Sequence, residues 1–422
     1  MSKSSEPSRL GIGTYRMRDQ YASHGEALTY ALESGIHLID TASNYGRGDS
    51  ERMIGNVLKA NPELKERAFV ISKAGYIPSD LSQDTELGHF LNQRSKDLQI
   101  AEITENFHYS LDPEFISFRF DQSLKRLQLK TIDCYLIHNP ERLLESKNLN
   151  DLEYLYNNLG EIFQFFEQQV AHGRLRYYGI SSNTIASPNS LLGIDFRRIC
   201  ELLKKIPNHN FKFLQFPFNF KETEASQKLY EGHSLLELAA SNNIRTIGNR
   251  PLLMNDNGRE FRLVDFPELF NREIHNEVER AYSEFCETLD ACLFELTDGE
   301  NTSKDFEPMR LLGSMLNRFE SPIAVGGFIH GQLKPFVLTI SEHCNKGLNK
   351  QLESLEQLMI LSAKKNQSLK AREYLHILKE QGVEIKANLS QTAANHYLND
   401  SGLDHILFGL RQISYIDDLL GR

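Results

Sequence analysis

The chain has 422 residues, enough for a large core and more than the roughly 250 residues typical of one α/β barrel, so it holds either one enlarged domain or two. Its 47 Lys and Arg against 57 Asp and Glu give a net charge of −10. These charges are spread along the chain rather than blocked, which argues against nucleic acid or an anionic membrane surface as a partner. The five cysteines form no C-x-x-C pair and have no nearby histidine ladder, so they read as small buried thiols of a reducing compartment and not as a disulfide framework or a metal site.

The polar opening, Met1 to Ser8, lacks the apolar core of a signal peptide. No stretch approaches the ~18 apolar residues of a membrane span, so the expected location is the cytoplasm. Leu10 to Met17 is short, apolar and glycine-containing, and reads as a strand or its end. Residues 24 to 34 look helical, with Ala27, Leu28, Ala31 and Leu32 on one stripe. A strand from His37 to Ala42 follows. From Asp49, with Asp49 or Ser50 as N-cap, a second helix presents Met53, Ile54, Val57 and Leu58. Ala68 to Lys73 is the next strand, and residues 76 to 112, polar and weakly patterned, are an excursion from its end.

The rhythm resumes with a helix at about 113 to 127 and the strand Thr131 to His138. Next come a helix at 151 to 172, the strand Tyr177 to Asn183 and a helix near 195 to 205. The strand Phe211 to Phe216, a helix marked by Leu229, Leu235, Leu236 and Ala239, and the strand Asn243 to Pro251 complete this run. Strands alternating with helices of this length imply βαβ crossovers and a parallel sheet. Seven units before residue 255, and an eighth built from a helix at 390 to 399, the strand His405 to Arg411 and a short helix to Leu420, predict a (β/α)8 TIM barrel. Residues 1–254 hold units one to seven, 386–422 hold the last unit, and 255–385 form a large, mostly helical insertion before the last strand. The insertion opens loop-like at Asn255-Asp-Asn-Gly. It then carries one helical face with Leu352, Leu355 and Met359 and another with Ala371, Tyr374, Leu375 and Leu378. Pro322 to Phe328 reads as a loop near the barrel mouth.

Barrel catalysts sit where strands end, because the loops after the strand C-termini form one open face. Asp40, Lys73 and His138 each terminate an apolar strand, and Tyr45 lies in the loop just after one. Taken singly, each has an ordinary structural reading: a turn cap, a snorkelling lysine, a packed loop tyrosine and a satisfied buried histidine. Convergence of all four on consecutive strands is much harder to explain that way.

The stretch Gly35-Ile-His-Leu-Ile-Asp40-Thr-Ala-Ser-Asn-Tyr45-Gly, followed by Ser50-Glu51 and Gly55, resembles the first signature of the aldo-keto reductase family. Phe69 to Lys73 and Ser123 to Glu141 resemble its lysine and histidine segments. Gly173 to Asn183, Phe213 to Phe216, Arg250-Pro251-Leu252 and Gly409 to Arg411 follow in the family's order. The resemblance spans residues 9 to 254 and 388 to 421. It implies an NAD(P)(H)-dependent oxidoreductase that interconverts an aldehyde, ketone or sugar carbonyl and its alcohol. The run Tyr135 to Glu141 and the long excursion resemble the branch that includes aldose dehydrogenases.

By this resemblance Tyr45 is the general acid. A phenol of unperturbed pKa ~10 is a poor donor at neutral pH, and a neighbouring ammonium, here Lys73, is expected to lower it by roughly 1–3 units. Asp40 holds Lys73 charged and in place, and His138 orients the substrate oxygen. Ser181, with Ser182 or Asn183, and Gln215 correspond to residues that grip the nicotinamide carboxamide. Arg250, Pro251, Leu252, Gly409 and Arg411 correspond to the last two cofactor-binding loops. Asn249 stands where many members place a ring that stacks on the nicotinamide. Arg411 suits a 2′-phosphate, which favours NADP(H) over NAD(H). The competing reading is a cofactor-binding regulatory or scaffold protein with little turnover, using the insertion 255–385 for a protein partner.

Overall fold

Eight short strands hydrogen-bond in parallel and close on themselves. They are β1 (Leu10–Gly13), β2 (Leu38–Asp40), β3 (Phe69–Ala74), β4 (Ile132–His138), β5 (Leu175–Ser181), β6 (Phe211–Pro217), β7 (Arg245–Asn249) and β8 (His405–Phe408). Each strand pairs with its chain neighbours, and β8 closes the ring between β7 and β1. The computed structural model describes residues 6–82, 84–94, 98–256, 259–344 and 347–422. Residues 1–5 of the polar opening, and Asn257 and Gly258 of the expected loop at 255, lie outside the described residues.

Strand parity explains both the core and the site. Alternate residues of a strand share a face. One face collects Leu38, Phe69, Ile71, Cys134, Leu136, Phe213, Ile247 and Leu407 into a single buried cluster. Continuing the same parity to the strands' C-terminal ends gives Asp40, Lys73, His138, Gln215 and Asn249. The apolar residues fill the barrel, and on these five strands the face turns polar toward its C-terminal end.

The helices outside the barrel begin where the sequence supplies side-chain acceptors for the free N–H groups of a first turn. Asp112, Asp151 and Asp195 cap Pro113–Leu127, Leu152–Ala171 and Phe196–Lys204. Ser234 and Glu237 form a capping box for Leu235–Ser241, so that helix starts after Leu229, later than its apolar pattern suggests. The helix Asp49–Ala60 departs from expectation: Gly48, at φ 85°, is its N-cap, with no side-chain cap bond. The Ser50 hydroxyl is engaged elsewhere, 2.7 Å from that of Thr14. The seventh strand ends at Asn249 rather than Pro251, since Arg250 has φ 57°.

The excursion after β3 is more regular than its sequence suggests. It holds the helix Thr85–Arg94 and a three-stranded antiparallel sheet of Tyr76–Ile77, Ala101–Thr104 and Phe107–Tyr109. Strands this short are too brief to display an alternation pattern.

Residues 252–389 form a separate compact unit, while residues up to 251 and from 390 belong with the barrel. The second unit opens with an antiparallel hairpin of Leu253–Asp256 and Arg259–Arg262, not a loop. Its helices Ile274–Thr297 and Leu348–Glu380 share a core that includes Val278, Phe285, Leu289, Leu352, Leu355 and Met359. The two helical faces expected near 355 and 375 thus lie on one 33-residue helix.

Three further features of this unit differ from the sequence expectation. Pro322–Phe328 is helical, because proline at the first turn needs no N–H partner. The run Pro322–Ser341 is, by length and composition, long and apolar enough to cross a membrane. Val325, Ile329, Leu333 and Val337, four residues apart, bury one of its faces in the unit's own core. Cys292 is disulfide-bonded to Cys344, 52 residues away, so these two are not free thiols. A count of cysteines carries no information on such a pairing.

Gly55 marks a close approach within the barrel unit: a Cβ there would lie 2.5 Å from the Arg126 carbonyl oxygen and 2.9 Å from the Leu127 backbone. Alanine in place of glycine usually stabilises a helix by roughly 0.5–1 kcal/mol. Here the clash reverses the sign, and Gly55→Ala is expected to destabilise the chain by about 1–3 kcal/mol, read from the shift of the denaturant midpoint.

Candidate active site

The strand ends meet. The Lys73 side chain has no exposure, and its ammonium donates to Asp40 Oδ2 at 2.7 Å, to the Thr41 carbonyl at 2.8 Å and to the Tyr45 hydroxyl at 3.4 Å. All three donors of the ammonium are therefore used. The phenol oxygen accepts from Lys73, which leaves its own O–H free to donate away from the lysine. The second oxygen of Asp40 accepts from Gln215 Nε2 at 2.7 Å, and Gln215 Oε1 accepts from the Ser181 hydroxyl at 2.8 Å and from Asn249 Nδ2 at 3.4 Å. One polar chain thus crosses the barrel mouth from β3 to β7.

The His138 ring lies 5.9 Å from the Tyr45 ring and 4.8 Å from that of Tyr76, and Tyr15 presents an edge to Tyr45 at 5.1 Å. Tyr76 is held by Asn139 Nδ2, which donates to its hydroxyl at 2.6 Å. Among the described residues, the buried His138 Nδ1 has no hydrogen-bond partner.

Burial governs the electrostatics. It pushes the Lys73 ammonium below its usual value, against the pull of Asp40. It holds His138 well below the usual imidazole value, reinforced by the positive charges of Lys73, Arg142 and Arg250, so the ring is neutral at neutral pH. Burial also raises the Tyr45 phenol well above 10, with the Asp40 carboxylate adding to the rise. This corrects the expectation that Lys73 lowers the phenol: the lysine's charge is matched by Asp40 directly behind it, and desolvation decides the direction.

The other expected residues separate into groups. Ser181 and Gln215 belong to the central chain. The buried Ser182 hydroxyl instead accepts the N–H groups of Thr184 at 3.2 Å and Ile185 at 3.1 Å, capping a turn. The Asn183 side chain accepts from Arg250 Nη2 at 3.1 Å, and Arg250 is close enough for its charge to act on both Tyr45 and His138. Pro251 is buried, and its carbonyl accepts from the Tyr397 hydroxyl at 3.0 Å. Leu252 belongs to the second unit, where its carbonyl accepts from the Leu263 N–H. Gly409 and Arg411 are exposed in the loop after β8. Among the described residues, no three His, Cys, Asp or Glu side chains gather as a metal site.

The donors and acceptors fit a carboxamide: Ser181, Gln215 and Asn249 cluster, and among the described residues the buried Asn249 Oδ1 lacks a partner. Tyr76, in an unpatterned stretch, and Glu141 carry no local sequence signal of their place beside the site. Glu141 Oε1 accepts the Asn183 N–H at 2.7 Å and so ties the segment after β4 to the segment after β5.

Burial raises the Glu141 carboxyl from 4.5 to about 7. A carboxyl whose folded value lies above its unfolded one contributes stability that is complete at low pH and is lost as pH rises through the folded value. Ionisation of Glu141 is therefore expected to cost about 3 kcal/mol in total. Glu141→Gln keeps an acceptor for Asn183 and removes the charge. Unfolding measured from about pH 5 to about pH 8 should show a flatter stability profile for this variant than for the wild type.

Comparison with known proteins matches the Aldo/keto reductase family model to residues 9–291. The chain is 27% identical over 198 residues to the 6-dehydroglucose reductase of Novosphingobium aromaticivorans, covering 44% of this chain and 52% of that protein. It is 28% identical over 249 residues to the aldo-keto reductase YhdN of Bacillus subtilis, covering 57% of each. The chain spans about half the length of the first curated relatives it matches. Among solved structures it resembles the holo form of an aldo-keto reductase from Bacillus halodurans, with a TM-score of 0.40 and 19% identity over 67% of this chain and 74% of that one.

Proposed function

Because the chain belongs to the aldo/keto reductase family, we propose that it is an NAD(P)(H)-dependent oxidoreductase that reduces an aldehyde, ketone or sugar carbonyl, with Tyr45 as the proton donor. The observation that carries this reading is the Tyr45 hydroxyl set 3.4 Å from a fully buried Lys73 that is itself paired with Asp40. The nicotinamide cofactor would supply the hydride. Ser181, Gln215 and Asn249 would hold its carboxamide, and Arg250 and Arg411 its phosphates, with Arg411 favouring NADP(H) over NAD(H).

The chain's own residues divide the remaining work. His138, kept neutral by burial, donates one ring N–H to the carbonyl oxygen and orients it; a protonated ring is not needed. Tyr45 gives its proton to the same oxygen as negative charge develops there. An alkoxide is a far stronger base than an ordinary phenolate, which favours this transfer. Lys73 then stabilises the phenolate oxygen, which it already contacts.

The reverse reaction needs Tyr45 deprotonated at the start, and its raised pKa opposes that near neutrality. Alcohol oxidation should therefore be slow near neutrality and accelerate as pH rises. Stopped-flow rates of NADPH oxidation and NADP reduction against pH, across a panel of aldehydes and sugars, compare the two directions. Tyr45→Phe is expected to lower kcat for reduction by about 10²–10⁴-fold, with NADPH binding unchanged. A variant with wild-type turnover excludes the assigned role.

A further inference from the structure

The loop that carries Tyr45 is held from beneath by charges that the acid–base reading does not use. Between Asp40 and Tyr45, the Ser43 N–H donates to the Lys73 carbonyl at 2.9 Å. The Ser43 carbonyl accepts from Arg119 Nη2 at 3.0 Å. Arg119 lies on the helix Pro113–Leu127, and its side chain has no exposure. A guanidinium so placed needs an anion. Asp84 provides it, with Oδ2 2.8 Å from Arg119 Nη1, while Gln122 Oε1 accepts from the same nitrogen at 2.6 Å. Gln122 Nε2 and the Leu87 N–H fix the other Asp84 oxygen at 2.9 and 3.2 Å.

Asp84 comes from the excursion after β3. A second ion pair lies beside the first: Arg126 Nε donates to the buried Glu51 at 2.6 Å, and Arg126 Nη1 lies 3.8 Å from Asp84.

We propose that Arg119, held by Asp84, is a positioning residue that sets the Tyr45 hydroxyl against Lys73 by gripping the Ser43 carbonyl. This rests on the reading of Tyr45 as the proton donor. Stability alone does not require the arrangement, since a buried ion pair can be replaced by neutral groups with little or no loss. An apolar replacement cannot donate to Ser43. The planar fork of arginine reaches Asp84 and Ser43 from two nitrogens at a fixed angle, which the single ammonium of lysine cannot reproduce. The excursion thereby acquires a task, delivery of the counter-charge that lets the clamp exist in the core.

The test compares the full-length wild type with Arg119→Lys and with the double variant Arg119→Met/Asp84→Asn, which leaves neither member of that pair charged. Thermal unfolding, NADPH binding, kcat and KM for an aldehyde, and amide hydrogen exchange across residues 41–48 are measured on each. The double variant is expected to keep its thermal midpoint, NADPH affinity and KM, to lose about 10- to 100-fold in kcat, and to exchange faster across 41–48. Arg119→Lys should fall between the two.

Wild-type kcat together with wild-type exchange across 41–48 in the double variant overturns the proposal. If the double variant fails to fold, Arg119→Lys decides, and an unaltered kcat there overturns it. If the wild type reduces no carbonyl, the oxidoreductase reading fails by itself. The exchange measurement then still tests the clamp, and unchanged rates across 41–48 overturn it.

Discussion

An ammonium with no exposure to water is the constraint on which this architecture depends. Lys73 stays inside the barrel because Asp40, Thr41 and Tyr45 accept its three hydrogen bonds; without them a buried charge of this kind is too costly to keep. Meeting that need fixes a good deal of structure at once. Asp40 must stand one strand over, in the register that pairs it with Ile71, two residues before Lys73. The chain must turn immediately after β2 to bring the Thr41 carbonyl and the Tyr45 phenol back over the same atom. The second oxygen of Asp40 then needs its own donor, and Gln215, from the far side of the barrel, supplies it.

The same burial determines the chemistry available at the mouth. Desolvation is the largest influence at the mouth, and it keeps both Tyr45 and His138 in their neutral forms. Two neutral donors, one in the loop after β2 and one at the end of β4, suit an oxygen that gains charge during a reaction. Preorganised groups of this sort act strongly because little water competes with them. The Arg119–Asp84 pair repeats the principle one layer further out, using a matched buried charge to fix backbone rather than to meet substrate.

The second unit obeys separate rules. Its helices bury their own apolar faces in a core that includes Val278, Leu289, Leu333 and Leu355, and the Cys292–Cys344 bond staples two of its segments. Nothing in the barrel's periodicity dictates where such a unit begins. Its opening hairpin consists of strands too short, and too polar at the turn, for pattern to reveal.

The sequence by itself determined the barrel and the identity of its central residues. Strands of alternating parity that end in Asp40, Lys73 and His138 place polar groups at one rim of any closed parallel barrel, because the side-chain period of two leaves them nowhere else to point. Tyr45 lies in the loop after β2, and the resemblance to the family is what singled it out. Only the tertiary structure decided which groups touch and what that does to them. Arg119 reaches Ser43 across 76 residues and Asp84 across 35, and Cys292 finds Cys344 across 52. Such partners share no local pattern, since packing selects them after the elements have formed. The direction of the Tyr45 shift was likewise invisible in sequence, because a list of neighbouring charges omits the desolvation that outweighs them.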